Sequence, residues 1–267
     1  MKTLIRILPF LLCFNLAACT SVSGKSDSQH VVSWLSEDSP QRLARADKTH
    51  FFQLSSQFET QENKFFCGPT SAVIVLNALR SQNQKIKKPS DRALYRGPET
   101  PFLKTLNPVF ERYTQDAFFN EKTDQVKTRD QVFGVPVSQN PLVRDGGLQL
   151  RQLGEMLKTY GVQVLIQVVA DGQNSQEIRK DLLANLEKPG QFVLVNFRRR
   201  ELGQNGGAHI SPLGAYDQAT DSVLLMDVNT TEHTWAWIGV NTLIEAMRTK
   251  DTIENRGYLV ISEKEER

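Results

Sequence analysis

A nearly continuous apolar run crosses residues 65–80, which read FFCGPTSAVIVLNALR. Pro69 stands where the first turn of a helix tolerates proline, because the N–H groups of that turn have no intrahelical partner. The residues after it are apolar on every side rather than along one stripe, which is typical of a helix surrounded by protein. The pattern predicts a buried central helix that begins near Cys67.

The second half of the chain is rich in β-branched and apolar stretches. Helical spacing precedes Gly161, a residue suited to end a helix, and Asn174 with Glu177 has the spacing of a capped helix start. From this pattern we predict helices at residues 148–160, 174–186 and 241–247, and strands at residues 162–169, 192–197, 209–216, 223–228 and 257–262.

Residues 81–145 are polar and proline-rich without a clean period, so we expect loops and short helices there. Helices that come first and strands that cluster late indicate an α+β fold, because an α/β fold would alternate the two. No internal repeat and no linker interrupts residues 50–262. The pattern therefore predicts one domain.

The start of the chain has the pattern of a secretion signal. Lys2 and Arg6 precede an apolar run at residues 7–16 that is too short to span a bilayer as a helix. The run ends in Leu-Ala-Ala-Cys, which resembles the lipobox of bacterial lipoproteins, and its cysteine, Cys19, would accept a diacylglycerol. A plain signal peptide and a buried apolar start to the domain are the alternatives.

From these features we expect a lipoprotein signal peptide at residues 1–18, a flexible tether from the lipidated Cys19 at residues 19–45, and the folded domain at residues 46–267. The lipid would hold the protein to the membrane of a bacterial cell envelope, on the periplasmic side. Cleavage before Cys19 would leave 30 basic and 30 acidic side chains, and Cys67 as the one thiol without lipid.

Composition narrows the chemistry further. Among 267 residues, 32 are basic and 30 acidic, a balance that argues against a nucleic-acid partner. Three cysteines and four histidines, without a CxxC or HExxH spacing, make an intrinsic metal site unexpected. The glycine-rich GQNGG at residues 203–207 lacks the strand–turn–helix setting of a dinucleotide site. A Cys/His pair is the chemistry that remains.

Cys67 has the surroundings of a nucleophile. A thiol at a helix N-terminus feels the partial positive charge of unpaired N–H groups, and its pKa falls further beside an imidazolium. Gly68 leaves room for the carbonyl group of a substrate. The alternative is a small buried hydrophobe, which is what most free cysteines are.

Three further side chains fit a cysteine hydrolase. His209 lies among small residues in GGAHISP and could act as a base; Asp227, at the end of an apolar strand, could hold the imidazole of His209. The amide of Gln61 could share an oxyanion with the N–H of Cys67. The alternatives are a satisfied strand histidine, a turn aspartate and a surface glutamine.

The order of Cys67, His209 and Asp227 is that of papain-like thiol hydrolases. Several segments resemble the phytochelatin synthase family, the glutathione γ-glutamylcysteinyltransferases, in the bacterial short form that lacks the Cys-rich C-terminal region. These segments are FFQLSSQFETQENKFFCGPTSAVIVLNAL (51–79), TQDAFFNEKTDQVKTRDQVFG (114–134), GGAHISPLGAYD (206–217), VLLMDVN (223–229), LIEAM (243–247) and RGYLVIS (256–262).

The resemblance implies a papain-like cysteine protease fold, in which a helical half carrying the Cys67 helix packs on a C-terminal antiparallel sheet. It implies Cys67, His209 and Asp227 as catalytic residues and Gln61 in the oxyanion hole. Asp251 and Arg256 fall on the family's γ-glutamyl clamp, in which a carboxylate and a guanidinium read the free α-ammonium and α-carboxylate of a γ-linked glutamate.

The resemblance also implies an acyltransferase that attacks the Cys–Gly bond of glutathione and passes γ-Glu-Cys to a second glutathione or to water. No cofactor is required, and cadmium or zinc enters only as a thiolate complex of the substrate. A homodimer is compatible with the family. Two alternatives stay open: a papain-like peptidase of bacteriocin-leader type, and a non-catalytic lipoprotein that binds thiol peptides or metal thiolates.

The sequence departs from the family after Asp227. An Arg-aromatic-Lys-aromatic stretch usual there is replaced by NTTEHTWAW at residues 229–237. That loop helps to bind the second substrate in the family, and Thr230 and Glu232 stand where the resemblance places its cations. This departure counts against transfer to a second glutathione and in favour of hydrolysis by water, and both outcomes stay open.

Overall fold

A computed structural model describes residues 31–81, 83, 85–89, 110–135 and 145–264. Within these ranges the chain forms seven strands and seven α-helices, which confirms the α+β class. The strands are β1 (Val31–Ser33), β2 (Gln163–Val168), β3 (Phe192–Arg198), β4 (Ala208–Asp217), β5 (Ser222–Leu225), β6 (Ala236–Gly239) and β7 (Gly257–Ser262). The helices are α1 (Ser39–Arg45), α2 (Phe51–Ser56), α3 (Cys67–Arg80), α4 (Arg129–Val132), α5 (Leu150–Lys158), α6 (Ser175–Glu187) and α7 (Val240–Met247).

The seven strands form one sheet in the order β1-β6-β5-β4-β3-β7-β2, and every neighbouring pair is antiparallel. The pairing of β3 with β4 sets Phe197 opposite His209. A bulge in β4 between Leu213 and Ala215 shifts its register against β5. A bulge of this kind bends the strand that carries it, here the strand of His209.

The core lies on both faces of the sheet. Side chains alternate along a strand, so Phe192 and Leu194 of β3 join a cluster with α3 and α5, whereas Val193 and Val195 join a second cluster with α6 and α7. A strand buried on both faces reads as a continuous apolar run, which is how residues 192–197 appear in the sequence. The sheet is thus a central layer between two helical layers.

Helix α3 is the axis of one layer. It begins at Cys67, as the sequence predicts, and every residue in it except Leu79 is buried. The polar Asn77 is satisfied by two hydrogen bonds to the backbone of Tyr113, and Arg80 donates to Tyr113 Oη at 2.7 Å. These partners allow a helix with polar residues to be fully enclosed.

The tether prediction is wrong for residues 31–45. Strand β1 pairs with β6, the Val32 side chain is buried, and Ser39 Oγ accepts a hydrogen bond from Trp237 Nε1 at 3.1 Å. Arg42 donates to Thr220 Oγ1 and to Ser222 Oγ. The segment is folded because residues about 180 positions away supply its partners, and no local pattern could reveal them.

The folded domain, predicted at residues 46–267, therefore includes residues before 46. The predicted signal peptide and Cys19 lie outside the described residues. Strand β5 ends at Leu225 rather than at Val228, and the short β6 was not predicted. Within the described ranges, no helix combines the length and the apolar character that crossing a bilayer requires.

Candidate active site

Cys67 is the first residue of α3 and is buried, with 9 % of its surface exposed. The N–H groups in the first turn of a helix have no intrahelical acceptor, so the N–H of Gly68 is free to donate to the Cys67 sulfur. The N–H of Ile210, from β4, donates to the same atom. The thiol therefore sits where the Cys67 helix meets the strand that carries His209.

Gly68 has a packing role that differs from the predicted one. A Cβ atom at this position would lie 3.2 Å from Leu148 Cδ1 and 3.7 Å from Ile210 Cδ1. Both neighbours also line the cavity beside Cys67. Glycine thus lets the walls of the cavity close around the first turn of α3.

His209 lies on β4 and is brought to both of its predicted partners. Its Nε2 atom lies 2.8 Å from Asp227 Oδ1 and 2.9 Å from Ser211 Oγ, and the imidazole is hydrogen-bonded to the Cys67 thiol. Since Nε2 faces Asp227, the remaining ring nitrogen, Nδ1, is the one available to sulfur. The three residues form a continuous chain from sulfur to carboxylate.

Asp227 lies two residues after the end of β5 and is 1 % exposed. Its Oδ1 atom accepts the N–H of Asn229 at 2.9 Å in addition to His209. The guanidinium of Arg199 donates to both carboxylate oxygens, at 2.7 Å and 3.0 Å. Sequence reasoning missed Arg199, because nothing in an Arg-Arg-Arg run tells which side chain turns inward.

The electrostatics favour a thiolate–imidazolium pair. Burial would raise the pKa of the Cys67 thiol, but the hydrogen bond and charge of His209, with the two backbone N–H groups, hold that pKa below its ordinary value. Burial would lower the pKa of His209, but Asp227 and Cys67 together raise it. Burial opposes ionisation of Asp227 as well, yet His209 and Arg199 keep its pKa far below the usual range.

Gln61 lies beside the segment that follows Asp227, since its backbone N–H donates to the Val228 carbonyl at 2.9 Å. Its side-chain Nε2 donates to the Asn63 carbonyl at 2.8 Å, and its Oε1 has no hydrogen-bond partner. Gln61 is not among the residues that line the cavity beside Cys67. The structure therefore brings the Gln61 backbone near the site, while its amide is directed along its own loop.

A cavity of about 330 Å³ opens beside Cys67 and His209. Its polar lining includes two carboxylates, Asp145 and Asp251, and the amide of Asn196. The remaining lining comes from Lys64, Phe65, Gly146, Gly147, Leu148, Gln149, Ala208, Ile210 and Thr252. Acidic and amide oxygens at such a wall would accept hydrogen bonds from an ammonium group.

Asp251 and Arg256 are paired with each other, with Nη2 of the arginine 3.1 Å from Oδ1 of the aspartate. Asp251 lines the cavity, whereas Arg256 does not. Arg256 Nη1 donates to Thr249 and to the Lys250 carbonyl, and burial lowers the pKa of the guanidinium. The geometry therefore makes Arg256 a support for Asp251, in contrast to the predicted direct reading of a substrate carboxylate.

Asn196 and Asp145 are cavity residues that sequence reasoning missed. Asn196 is 1 % exposed; its Nδ2 donates to Asp251 Oδ2 at 3.1 Å, and its Oδ1 is buried without a partner. Asp145 is paired with Lys127 at 2.9 Å and accepts from Thr252 Oγ1. In the sequence, Asn196 lies within an apolar strand and Asp145 within a loop, and neither setting indicates a functional role. Only the contacts in the folded structure show that both line the cavity.

Among the residues that the structure describes, no group of three or more His, Cys, Asp or Glu side chains is arranged to hold a metal ion. The hydrogen-bonded series of Cys67, His209 and Asp227 is the candidate for catalysis. These residue types, in this order, are the ones that can serve as a nucleophile, a proton carrier and a carboxylate that orients the carrier.

Comparison with known proteins relates this arrangement to one family. The family model described as phytochelatin synthase matches residues 25–258. Among curated relatives, the glutathione gamma-glutamylcysteinyltransferase of Schizosaccharomyces pombe is 22% identical over 214 residues, which cover 79% of this chain and 43% of that protein. Glutathione gamma-glutamylcysteinyltransferase 3 of Lotus japonicus is 25% identical over 223 residues, or 82% of this chain and 39% of that protein. The chain thus spans less than half the length of these relatives.

Proposed function

Because this chain belongs to the phytochelatin synthase family, we propose that it is a cysteine-dependent glutathione γ-glutamylcysteinyltransferase with a papain-like fold. The observation that carries the proposal is the buried thiol of Cys67, at the tip of α3, in hydrogen-bond contact with His209. Glutathione is proposed as the substrate because the relatives are named glutathione gamma-glutamylcysteinyltransferases.

In the first half-reaction the Cys67 thiolate attacks the carbonyl carbon of the Cys–Gly amide. Negative charge develops on the carbonyl oxygen, where the N–H of Cys67 would stabilise it. The Gln61 amide, which donates to the Asn63 carbonyl, would have to turn toward the cavity to act as a second donor. His209 gives its proton to the departing glycine nitrogen, and the amide bond breaks. The products are free glycine and a γ-Glu-Cys thioester on Cys67.

In the second half-reaction the thioester is transferred to an acceptor. His209, now neutral, takes a proton from water or from the amine of a second glutathione, and the new bond to the carbonyl carbon releases the Cys67 thiolate. Water gives γ-Glu-Cys, and glutathione gives a short phytochelatin. The loop after Asp227 has Thr230 and Glu232 where the family has cations, and the Glu232 carboxylate is paired with Lys64 at 3.0 Å. The loss of those cations favours water as the acceptor.

Recognition of the γ-glutamyl group would fall to the acidic wall of the cavity. The α-ammonium group would be accepted by the carboxylate of Asp251 and by the unpartnered Oδ1 of Asn196. Arg256 would hold Asp251 in place. An α-linked peptide has no free ammonium at this position and would leave both acceptors unpaired, which penalises its binding.

The proposal includes the envelope location. A lipid on Cys19 would anchor the domain at the periplasmic side of the membrane. Replacing Cys19 with serine should shift the protein from the detergent-rich to the aqueous phase after detergent partitioning. Equal partitioning of the two forms would argue for a plain signal peptide or an unprocessed start.

The deciding experiment incubates the protein with glutathione, with and without cadmium, and follows the products by mass spectrometry. We expect free glycine together with γ-Glu-Cys or a short phytochelatin, and neither product from Cys67→Ser. Stimulation by cadmium would mark a glutathione thiolate complex as the better substrate. Cleavage of a Gly-Gly peptide without attack on glutathione would instead indicate the bacteriocin-leader type of peptidase. Binding without turnover in the parent chain would indicate a non-catalytic binding protein.

A further inference from the structure

The glycine-rich loop at residues 203–207 encloses the side chain of Arg199. The Arg199 N–H donates to the Gly207 carbonyl at 3.0 Å, and the Gln204 N–H donates back to the Arg199 carbonyl at 3.1 Å. Gly206 has a φ of +112°, and a Cβ there would lie 2.9 Å from Arg199 Cδ. Glycine at position 206 is thus required both by the backbone and by the arginine beside it.

The loop directs the guanidinium of Arg199 at Asp227. Arg199 is 3 % exposed, and its Nη1 also donates to Gln204 Oε1 at 2.8 Å. The two hydrogen bonds to the carboxylate form a fork, which fixes the plane of the carboxylate as well as its position. In that plane Asp227 Oδ1 points at His209 Nε2, 2.8 Å away.

A buried ion pair of this kind is weak support for fold stability. Desolvating two charges costs several kcal/mol, so apolar residues of the same size often stabilise a core as well or better. Arg199 also places a positive charge near the imidazolium that the site needs, which alone would disfavour proton binding by His209. The contact is favourable for the site if orienting the Asp227 carboxylate helps proton binding by His209 more than the positive charge of Arg199 opposes it.

Other charged groups also face this cluster. Cys67 contacts His209 from α3, and the His233 side chain, from the loop after Asp227, feels the charges of Arg199, Asp227 and His209. His233 is partly exposed and is itself near Glu232. Its influence is shared by all variants described below and cancels when they are compared.

We propose that Arg199, held by the glycine-rich loop, is a positioning residue that orients the Asp227 carboxylate toward His209. The inference rests on the proposed roles of Cys67, His209 and Asp227. Arg199 acts only through Asp227, since its donors go to Asp227 and Gln204 and it is not among the residues that line the cavity.

The test compares Arg199→Lys and Arg199→Met with Arg200→Met, an exposed arginine one position away that loses the same charge. Lysine keeps the charge but replaces the fork with a single point of attachment, so it should fold even if methionine does not. For Arg199→Met we expect kcat for glycine release to fall about 10–100-fold, in the range of other partners that orient a reactive side chain, with KM changed less than about twofold. For Arg199→Lys we expect a smaller loss, and for Arg200→Met none.

Alkylation of Cys67 by iodoacetamide gives a readout that needs no glutathione. If Arg199 orients Asp227, its replacement weakens the imidazolium and slows alkylation near pH 6. If Arg199 only offsets the negative charge of Asp227, its replacement makes His209 easier to protonate. Alkylation of Cys67 then becomes faster, and the inference is wrong. Should no variant or parent process glutathione while Arg199→Lys still slows alkylation, the proposed function fails and this inference stands.

A double-mutant cycle completes the test. Adding Arg199→Met to Asp227→Asn should leave kcat within about twofold of Asp227→Asn alone, because the arginine then has no carboxylate to orient. Losses that multiply would mean that Arg199 acts independently of Asp227 and would overturn the inference. Thermal unfolding of each variant, run in parallel, separates loss of fold from loss of orientation.

Discussion

At the scale of single residues, the charge on each member of the site depends on the next. Cys67 has a lowered pKa because His209 is present, and His209 has a raised pKa because Asp227 and Cys67 are ionised. Burial disfavours each of these three charges. The ionised forms are therefore stable only when all three side chains are present together. Replacing one member should therefore change the titration of the others.

The first prediction concerns the pH dependence of Cys67. Glycine release should rise with pH through the lowered pKa of the Cys67 thiol and fall as pH passes the raised pKa of His209, which must carry the proton for the leaving group. In His209→Gln, alkylation of Cys67 should require a pH near that of an ordinary thiol, about 8.5. Alkylation that is independent of His209 would contradict the coupling.

The second prediction concerns Asp227→Asn. We expect kcat to fall by a factor on the order of 10⁴, as when the aspartate of a comparable triad is made neutral, and the fold to lose about 3–5 kcal/mol because Arg199 is left buried without its anion. Since the folded pKa of Asp227 is depressed, the parent has this stability above the unfolded pKa of about 3.9 and loses it as pH falls. Urea unfolding at pH 7 and pH 3 should show the deficit shrinking at the lower pH.

The third prediction concerns Asp251→Asn. Loss of the carboxylate should raise KM for glutathione about 10–100-fold, the range of a hydrogen bond to a charged group, and change the alkylation of Cys67 little. Glu245→Gln, an exposed site on α7, serves as the control that removes one negative charge. An unchanged KM would place the ammonium of the substrate elsewhere.

At the scale of elements, the sheet fixes the position of His209 relative to Asp251. Strand β4 carries His209, and β7 begins at Gly257, directly after Arg256, which supports Asp251. Gly257 pairs with Val168 of β2, and a Cβ on Gly257 would lie on the Gln167 carbonyl oxygen. The close approach of the β7 and β2 backbones thus fixes the start of β7, and with it the position of the cavity residue Asp251 relative to the sheet.

The fourth prediction follows from this close approach. Gly257→Ala should destabilise the fold by more than about 3 kcal/mol, because backbone rather than a flexible side chain must move. Gly207→Ala is the matched control, since no atom lies within 4 Å of its Cβ position and its φ is ordinary. Urea denaturation of both variants measures the difference, and equal stabilities would contradict the argument.

At the scale of the whole molecule, the chain closes on itself through its first described segment. Strand β1 forms the edge of the sheet beside β6, and Arg45 donates to both oxygens of the buried Asp217 at the end of β4. The segment before residue 46 thus completes the sheet on the side of β6, while β2 forms the opposite edge.

The fifth prediction is that a chain starting at residue 46 is less stable than one starting at residue 25. Losing β1 and α1 removes the acceptor of Trp237 Nε1 and the Arg45 ion pair of the buried Asp217, so the melting temperature should fall by about 10 °C or more. Differential scanning calorimetry of the two chains is the measurement. Equal melting temperatures would restore the tether interpretation for residues 31–45.

The sequence alone determined the start of α3 at Cys67, because a helix that is apolar all round is visible in a single segment. It determined the α+β class and most strands for the same reason: each is a local pattern. The candidates Cys67, His209 and Asp227 also came from the sequence, through their order and their resemblance to a family. Local chemistry, such as a thiol at a helix tip, is encoded by neighbours along the chain.

The tertiary structure alone decided which distant side chains meet. It joined Arg199 to Asp227, turned Arg256 from the cavity toward Asp251, and gave β1 a partner some 200 residues away. It also left Asn196 with an unpaired oxygen within an apolar strand. Each of these features depends on which strands pair and on which side of the sheet a side chain lies. Both are set by burial over the whole sheet, so no single segment of the sequence determines them.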